Sequence, residues 1–209
     1  MTLIAFEGID GAGKSTQIKK LANWLNANGH ATCVTCEPTK GEHGKRIRSA
    51  QPRLSSKDER AEFVLDRKEH LETCIAPAQK RGEIVLTDRY YYSSMAYQGI
   101  RIALERGAQT DDAFDAVIDE LRLENEAFAP QADVLVLFKL SPEDAMARIQ
   151  ANRSTADAFE TLENLGRVAH AFERVQAIVE KTSSTQIIVV QATEPVEKIE
   201  ADLRAQLKL

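Results

Sequence analysis

The sequence predicts an α/β layered fold, a five-stranded parallel sheet with helices on both faces. Three observations carry that prediction. Short apolar runs at residues 3–6, 31–36, 84–87, 134–138 and 187–190 have the length and composition of buried strands. Longer stretches between them repeat apolar residues three and four apart, as amphipathic helices do. Polar and glycine-rich segments stand at the carboxyl ends of the runs, where ligands bind in such sheets.

The first run leads directly into Gly8-Ile9-Asp10-Gly11-Ala12-Gly13-Lys14-Ser15, followed by Thr16. This fits G-x-x-x-x-G-K-[ST] at every fixed position, the P-loop pattern. Glycines let the backbone turn so that successive N–H groups converge on phosphate. Lys14 reaches the outer phosphates and the Ser15 hydroxyl suits Mg²⁺. The helix that follows buries Ile18, Leu21, Ala22 and Leu25, ends at Gly29, and adds its positive end to the cradle. Residues 8–16 are therefore the expected binding loop for a nucleoside triphosphate.

The second strand ends at Glu37-Pro38. Residues 39–56 read as a polar loop with a short helix, carrying Lys45, Arg46, Arg48 and Arg53. Ser56-Lys57-Asp58-Glu59 has the form of a capping box. The helix it opens aligns Phe63, Arg67, Leu71 and Cys74, and Pro77 kinks or interrupts it. The third strand delivers Asp88-Arg89-Tyr90, and residues 91–99 read as loop running into helix. A helix from Asp111 presents Phe114, Val117, Ile118 and Leu121 and stops near Pro130. After the fourth strand, Ser141-Pro142 marks another helix start. Residues 152–158 are short and polar. A long helix follows, with Leu162, Leu165, Val168, Phe172 and Val175 in its stripe; Glu194-Pro195 opens the last one.

With 209 residues, 43% of them hydrophobic, the chain suits one compact domain, residues 1–209, with a small lid segment around 148–160. A net charge of −5 argues against a nucleic-acid polymer as partner. No apolar stretch is long enough to span a bilayer, and the N-terminus enters a strand without a basic-then-apolar leader, so the expected address is cytoplasmic. Cys33-x-x-Cys36 lies on a strand, where positions three apart face opposite ways, so these cysteines are read as buried and structural. The four histidines lack ligand spacing and are assigned packing or surface roles.

A P-loop alone does not separate a kinase from a switch. Asp88-Arg89 at a strand end places a carboxylate for the Mg²⁺ water shell and an arginine to bridge two phosphates. Arg48, Arg67 and Arg89 come from separate segments yet are predicted near one rim, which suits a second phosphate-bearing substrate. Phe63, four residues before Arg67, can stack on a base that the guanidinium also reads.

GIDGAGKST, Glu37-Pro38, Lys45-Arg46-Ile47-Arg48, Phe63-x-x-x-Arg67 and Asp88-Arg89-Tyr90 with Ser93-Ser94-x-Ala96-Tyr97-Gln98-Gly99 together resemble the thymidylate kinase family, over essentially the whole chain. The resemblance implies a P-loop kinase fold and Mg²⁺-dependent transfer of the ATP γ-phosphoryl group to dTMP, in a homodimer. It implies Phe63 as the ring on thymine, Arg67 as a donor to the base, and Arg48 and Arg89 as acceptor-phosphate ligands. Asp10 resembles the carboxylate at the acceptor sugar or its phosphate-linked Mg²⁺. Ser94 and Gln98 match base-proximal positions, and Tyr97 the residue that crowds a ribose 2′-hydroxyl. Glu37 is placed with the acceptor-binding residues.

Because a monophosphate acceptor is already anionic, catalysis is a matter of in-line placement and charge cancellation. Lys14, Arg89 and Mg²⁺ are assigned to charge stabilisation, and Ser15 and Asp88 to the metal. Family members with no P-loop arginine, as here with Gly11, usually carry basic lid groups near an Asp-Arg-x-Glu-like stretch. This chain departs from that pattern, with Asp157-Ala158-Phe159-Glu160. Arg153 is taken as the lid arginine, with Arg148 also at hand, and residues 191–193 as the adenine neighbourhood. The rival readings are a kinase for another nucleoside monophosphate or for a deoxynucleoside, the latter with Glu37 as base, and a GTPase-like switch, for which no N-K-x-D element is present.

Overall fold

The computed structural model describes residues 2–152 and 161–207. Five parallel strands, β1 (Leu3–Gly8), β2 (Thr32–Cys36), β3 (Ile84–Asp88), β4 (Val134–Lys139) and β5 (Gln186–Gln191), form one sheet in the order β2-β3-β1-β4-β5. Each strand lies within two residues of its apolar run. The central strand β1 is buried along its whole length, which is why its run is unbroken, whereas the edge strands β2 and β5 are partly open.

Helices pack around this sheet. The helix α1 (Lys14–Ala27) covers β1, β2 and β3 and meets the C-terminal α9 (Val196–Leu207). Elsewhere α5 (Tyr91–Glu105) packs on β1 and against α3 (Ser56–His70), α6 (Asp111–Glu126) and α8 (Leu162–Thr182). A short α2 (Glu42–Ser49) sits against α3, and α7 (Pro142–Asn152) against α8. One hydrophobic core joins sheet and helices, running from Leu3 and Phe6 through Leu86 and Val136 to Phe172 and Leu203.

Three local expectations are corrected. The interruption near Pro77 is a π-helical turn, Leu71–Ile75, immediately before α4 (Ala76–Lys80). Proline offers no N–H and crowds the carbonyl four residues back, and a wider turn relieves both. The N-cap of α3 is Ser55 rather than Ser56: its hydroxyl accepts from Asp58 N at 3.1 Å, so the box is shifted by one residue. Residues 91–99 are not loop; α5 starts at Tyr91, directly after β3 and the Arg89-Tyr90 corner.

The connections after β1 and β3, which are neighbours, leave in opposite directions. A crevice therefore opens beyond their carboxyl ends. Both the Gly8–Ser15 loop and Asp88-Arg89 are delivered there.

Candidate active site

The phosphate loop is shaped by close backbone approaches. Gly8 (φ +137°) and Gly11 (φ +79°) adopt conformations that favour glycine, and a Cβ on either would fall within 3 Å of a carbonyl oxygen, Phe138 O at 2.6 Å and Ala145 O at 2.8 Å. α1 then begins with no side-chain cap, which leaves its first N–H groups for an anion. Lys14 is buried at the loop centre and donates to Gly8 O and Ile9 O, each at 3.1 Å. Burial, and then repulsion from Arg89, lowers its pKa to about 8 against the pull of Asp88, Asp10 and Glu7. Ser15 Oγ donates to Asp88 Oδ2 at 2.5 Å, joining the end of the loop to the end of β3.

Arg89 stands where loop and crevice meet. Its backbone is left-handed (φ +72°), the one such non-glycine among the described residues, and is held by Arg89 N on Phe6 O at 3.0 Å. The guanidinium donates to Asp10 Oδ1 (2.8 Å), Tyr97 OH (3.1 Å), Ser93 Oγ (3.0 Å) and Gly8 O (3.3 Å), and lies over the Tyr97 ring. Tyr97 is in turn packed edge-on against Phe172.

Beyond Arg89 lies a cavity of about 700 Å³. Asp10, Glu37, Arg48, Phe63, Arg67, Arg89, Tyr97 and Gln98 all line it, so residues from five segments of the chain meet as expected from the sequence. Phe63 is half-buried and reaches the cavity. The Gln98 side chain is buried there, with Oε1 lacking a hydrogen-bond partner among the described residues. Arg48 is exposed at the rim, donating to Pro38 O at 2.7 Å and to Thr39 O.

Arg67 is embedded more deeply than a base-reading arginine at a rim would be. Nε and Nη2 bind Glu37 Oε2 at 2.8 and 2.6 Å, Nη2 also binds Ser94 Oγ at 3.1 Å, and Nη1 donates to Asn125 Oδ1. Ser94 is buried behind Arg67 rather than on the cavity wall. Glu37 Oε1 is 3.0 Å from His70 Nδ1, and His70 Nε2 is 2.7 Å from Thr35 Oγ1. Burial alone would raise the Glu37 pKa, but Arg67 and His70 together hold it below the ordinary carboxylate value.

His70 and Asn125 carry this network without having been singled out in the sequence. His70 follows Arg67 by three positions on α3, a spacing that placed it on the same face; nothing local marked Asn125. Arg148, the secondary choice of lid arginine, has Nη2 on Ala192 O at 2.8 Å and Nη1 on Gly11 O at 3.5 Å. It thus joins the phosphate loop to the adenine neighbourhood. A smaller cavity of about 210 Å³ beside that loop is lined by Ile9, Ser141, Asp144, Gln191 and Thr193 among others. Arg153 and the Asp157-Ala158-Phe159-Glu160 stretch lie outside the described residues.

Cys33, Cys36 and Cys74 are free thiols. Cys33 and Cys36 are half-buried rather than buried, because β2 is an edge strand. Cys33 Sγ lies 3.6 Å from Cys74 Sγ, and burial pushes the Cys33 pKa up to about 11.

A phosphate loop on a parallel sheet, facing a separate arginine-lined cavity across Arg89, defines a P-loop nucleotide kinase. A thymidylate kinase profile matches residues 6–203. The chain is 44% identical over 172 residues to a thymidylate kinase of Xanthomonas euvesicatoria pv. vesicatoria, covering 81% of this chain and 70% of that protein. It is 40% identical over 196 residues to that of Xanthomonas oryzae pv. oryzae (91% and 80% covered), and 37% identical over 210 residues to that of Desulfotalea psychrophila (99% and 94%). The chain belongs to the thymidylate kinase family.

Proposed function

We propose that this protein transfers the γ-phosphoryl group of ATP to dTMP, giving dTDP and ADP. The observation that carries this reading is the junction at Arg89. One guanidinium touches the phosphate loop at Gly8 O, the acceptor side at Tyr97, and Asp10 between them. That arrangement suits two nucleotides lying end to end, with the transferred group between them.

On this reading the loop amides of residues 8–16 hold the ATP phosphates. Lys14 exchanges its carbonyl partners for phosphate oxygens, whose negative charge favours its ammonium form. Phe63 stacks on thymine and Gln98 Oε1, unpartnered among the described residues, meets a donor on the base edge. Arg67, fixed by Glu37 and Asn125, presents its remaining Nη1 proton. Arg48 and Arg89 grip the acceptor phosphate, and the Tyr97 ring closes off the sugar. No side chain has to remove a proton, and Glu37, pinned between Arg67 and His70, is not poised to do so.

The Ser15 hydroxyl and Asp88 carboxylate, side by side at the loop mouth, fit Mg²⁺, which takes one or two protein oxygens beside phosphates and water. When bound, the ion neutralises charge on the β- and γ-phosphate oxygens. Arg148, between Gly11 and Ala192, is proposed to flank the nucleotide from α7, with Arg153 as a further lid arginine.

Continuity of the core among the described residues supports one kinase domain over residues 1–209, and the lid around 148–160 is proposed from the sequence alone. No helix among the described residues is long and apolar enough to cross a membrane. We place the enzyme in the cytoplasm as a homodimer. Leu65 on α3 and Leu123 on α6, 42% and 56% exposed, lie on helices bridged by Arg60 to Glu120 and Glu124 and favour a covered face there.

The test is ADP release measured with each common monophosphate and with thymidine. Turnover should be greatest with dTMP. Phosphorylation of thymidine but not dTMP would move the protein to the nucleoside kinases.

A further inference from the structure

Glu7 is the penultimate residue of β1, directly before the phosphate loop, and its side chain is fully buried. A buried carboxylate is costly unless its lone pairs are occupied, and here they are. Oε1 accepts from Tyr90 N at 2.7 Å and Ser93 N at 3.1 Å, and Oε2 accepts from Ser93 Oγ at 2.5 Å. These two N–H groups lie at the start of α5, whose N-cap residue, Tyr90, supplies no side-chain cap. The first helix turn after β3 is thus capped from another strand.

The Ser93 hydroxyl has one proton, and Glu7 takes it. Its lone pairs are then turned toward Arg89 Nη1, 3.0 Å away. Glu7 also ties down the Arg89-Tyr90 corner, where Arg89 is held at φ +72°. Ser93 lines the acceptor cavity, and Glu7 lies behind it without lining it.

We propose that Glu7 is the positioning residue for Arg89, fixing the polarity of the Ser93 hydroxyl and the corner from which the guanidinium reaches the acceptor phosphate. The proposal rests on the placement of Arg89 at that phosphate. It differs from a plain helix cap because the serine relay, and not helix stability, carries the effect.

Glu7→Gln separates the two. With the amide oxygen retained at Oε1 for the backbone N–H groups, the NH₂ group donates to Ser93 Oγ instead of taking its proton, so the hydroxyl is free to rotate and its lone pair on Arg89 Nη1 is no longer fixed. Displacing a reacting group by about 1 Å costs up to roughly 100-fold. Steady-state kinetics of Glu7→Gln at about pH 8, where the wild-type carboxyl is ionised and accepts from Ser93, should show kcat/KM for dTMP falling roughly 10- to 100-fold, with KM for ATP unchanged. Ser93→Ala should give a smaller loss, also confined to dTMP. The double variant should be no worse than Glu7→Gln alone, because both changes act through the same Ser93 contact to Arg89.

Multiplied losses in the double variant, or equal effects on ATP and dTMP, would overturn the proposal. Should Glu7→Gln not fold, Ser93→Ala decides alone: unaltered kcat/KM for dTMP overturns it. Arg89→Ala, run beside these, keeps the two ideas apart. Loss of turnover there with full turnover in the Glu7 and Ser93 variants removes only the role of Glu7. Full turnover in Arg89→Ala removes the role of Arg89 and the proposal with it.

Discussion

Arg67 Nη2 lies 2.6 Å from Glu37 Oε2, and the side chains are 1% and 2% exposed. This pair lines the buried side of the cavity of about 700 Å³. Arg67 is oriented by Glu37, Ser94 and Asn125, Glu37 is shared with His70, and Phe63 lines the same cavity. Removing one partner of a buried pair leaves the other's charge uncompensated. Glu37→Ala should therefore cost about 3–5 kcal/mol of folding free energy. Urea unfolding measures it; a loss under about 1 kcal/mol, as for an exposed pair, would mean that Arg67 has another anchor.

Lys14→Ala removes the charge at the centre of the loop but only two hydrogen bonds to backbone carbonyls. Turnover should fall by at least about 100-fold, in the range found when one electrostatic donor to a transition state is removed. The melting temperature should change little. Near-normal kcat in a folded variant would take Lys14 out of the transition state.

Tyr97→Phe keeps the ring beside the acceptor cavity and deletes the hydroxyl that accepts from Arg89. The preference for deoxyribose over ribose should persist, since bulk excludes the extra hydroxyl. The kcat should drop modestly as Arg89 loses one partner. Rates with the deoxy- and ribonucleotide acceptors test both points, and loss of discrimination would show that the phenol oxygen, rather than the ring, does the sorting.

Much of this arrangement was readable from the chain. The P-loop has fixed spacing, and each strand is an apolar run, so both the phosphate site and the order of elements follow from local pattern. That Arg48, Arg67 and Arg89 share one cavity was expected from strand ends, and Phe63 from its spacing to Arg67, whereas Tyr97 and Gln98 were placed there only by the resemblance to the family. The depth of Arg67 was not expected. Its burial depends on Asn125 from α6, and that contact, spanning more than fifty residues, has no local signature. Glu7 was hidden for a similar reason. A carboxylate at the end of an apolar strand reads as the last polar residue before a loop, and only the packing of α5 onto β1 turns it into a cap. The start of α5 at Tyr91 was obscured for the same cause, since its capping group lies on another strand.

The buried Glu7 carboxyl has a consequence for acid–base behaviour. Burial raises its pKa from 4.5 to about 7, against the pull of Arg89, the bonds from Ser93 and Tyr90, and Lys14. Between these values the folded protein keeps a proton that the unfolded chain has released. The stability contributed by this group is therefore fully present below 4.5 and is lost as pH rises through about 7. Glu7→Gln has no such titration. The stability difference, wild type minus variant, should fall by on the order of 3 kcal/mol from about pH 4 to about pH 8. Urea midpoints across that range measure it, and a difference independent of pH would contradict the burial argument.

The central claim is that one continuous crevice holds two nucleotides tail to tail, with Arg89 at the junction. Its most direct test is binding of a bisubstrate analogue in which adenosine and thymidine are joined through their 5′ positions by an oligophosphate. The structure predicts competition with both ATP and dTMP, affinity above that of either nucleotide alone, and a marked loss in Arg89→Ala. Competition with ATP alone, with dTMP still bound, would contradict it.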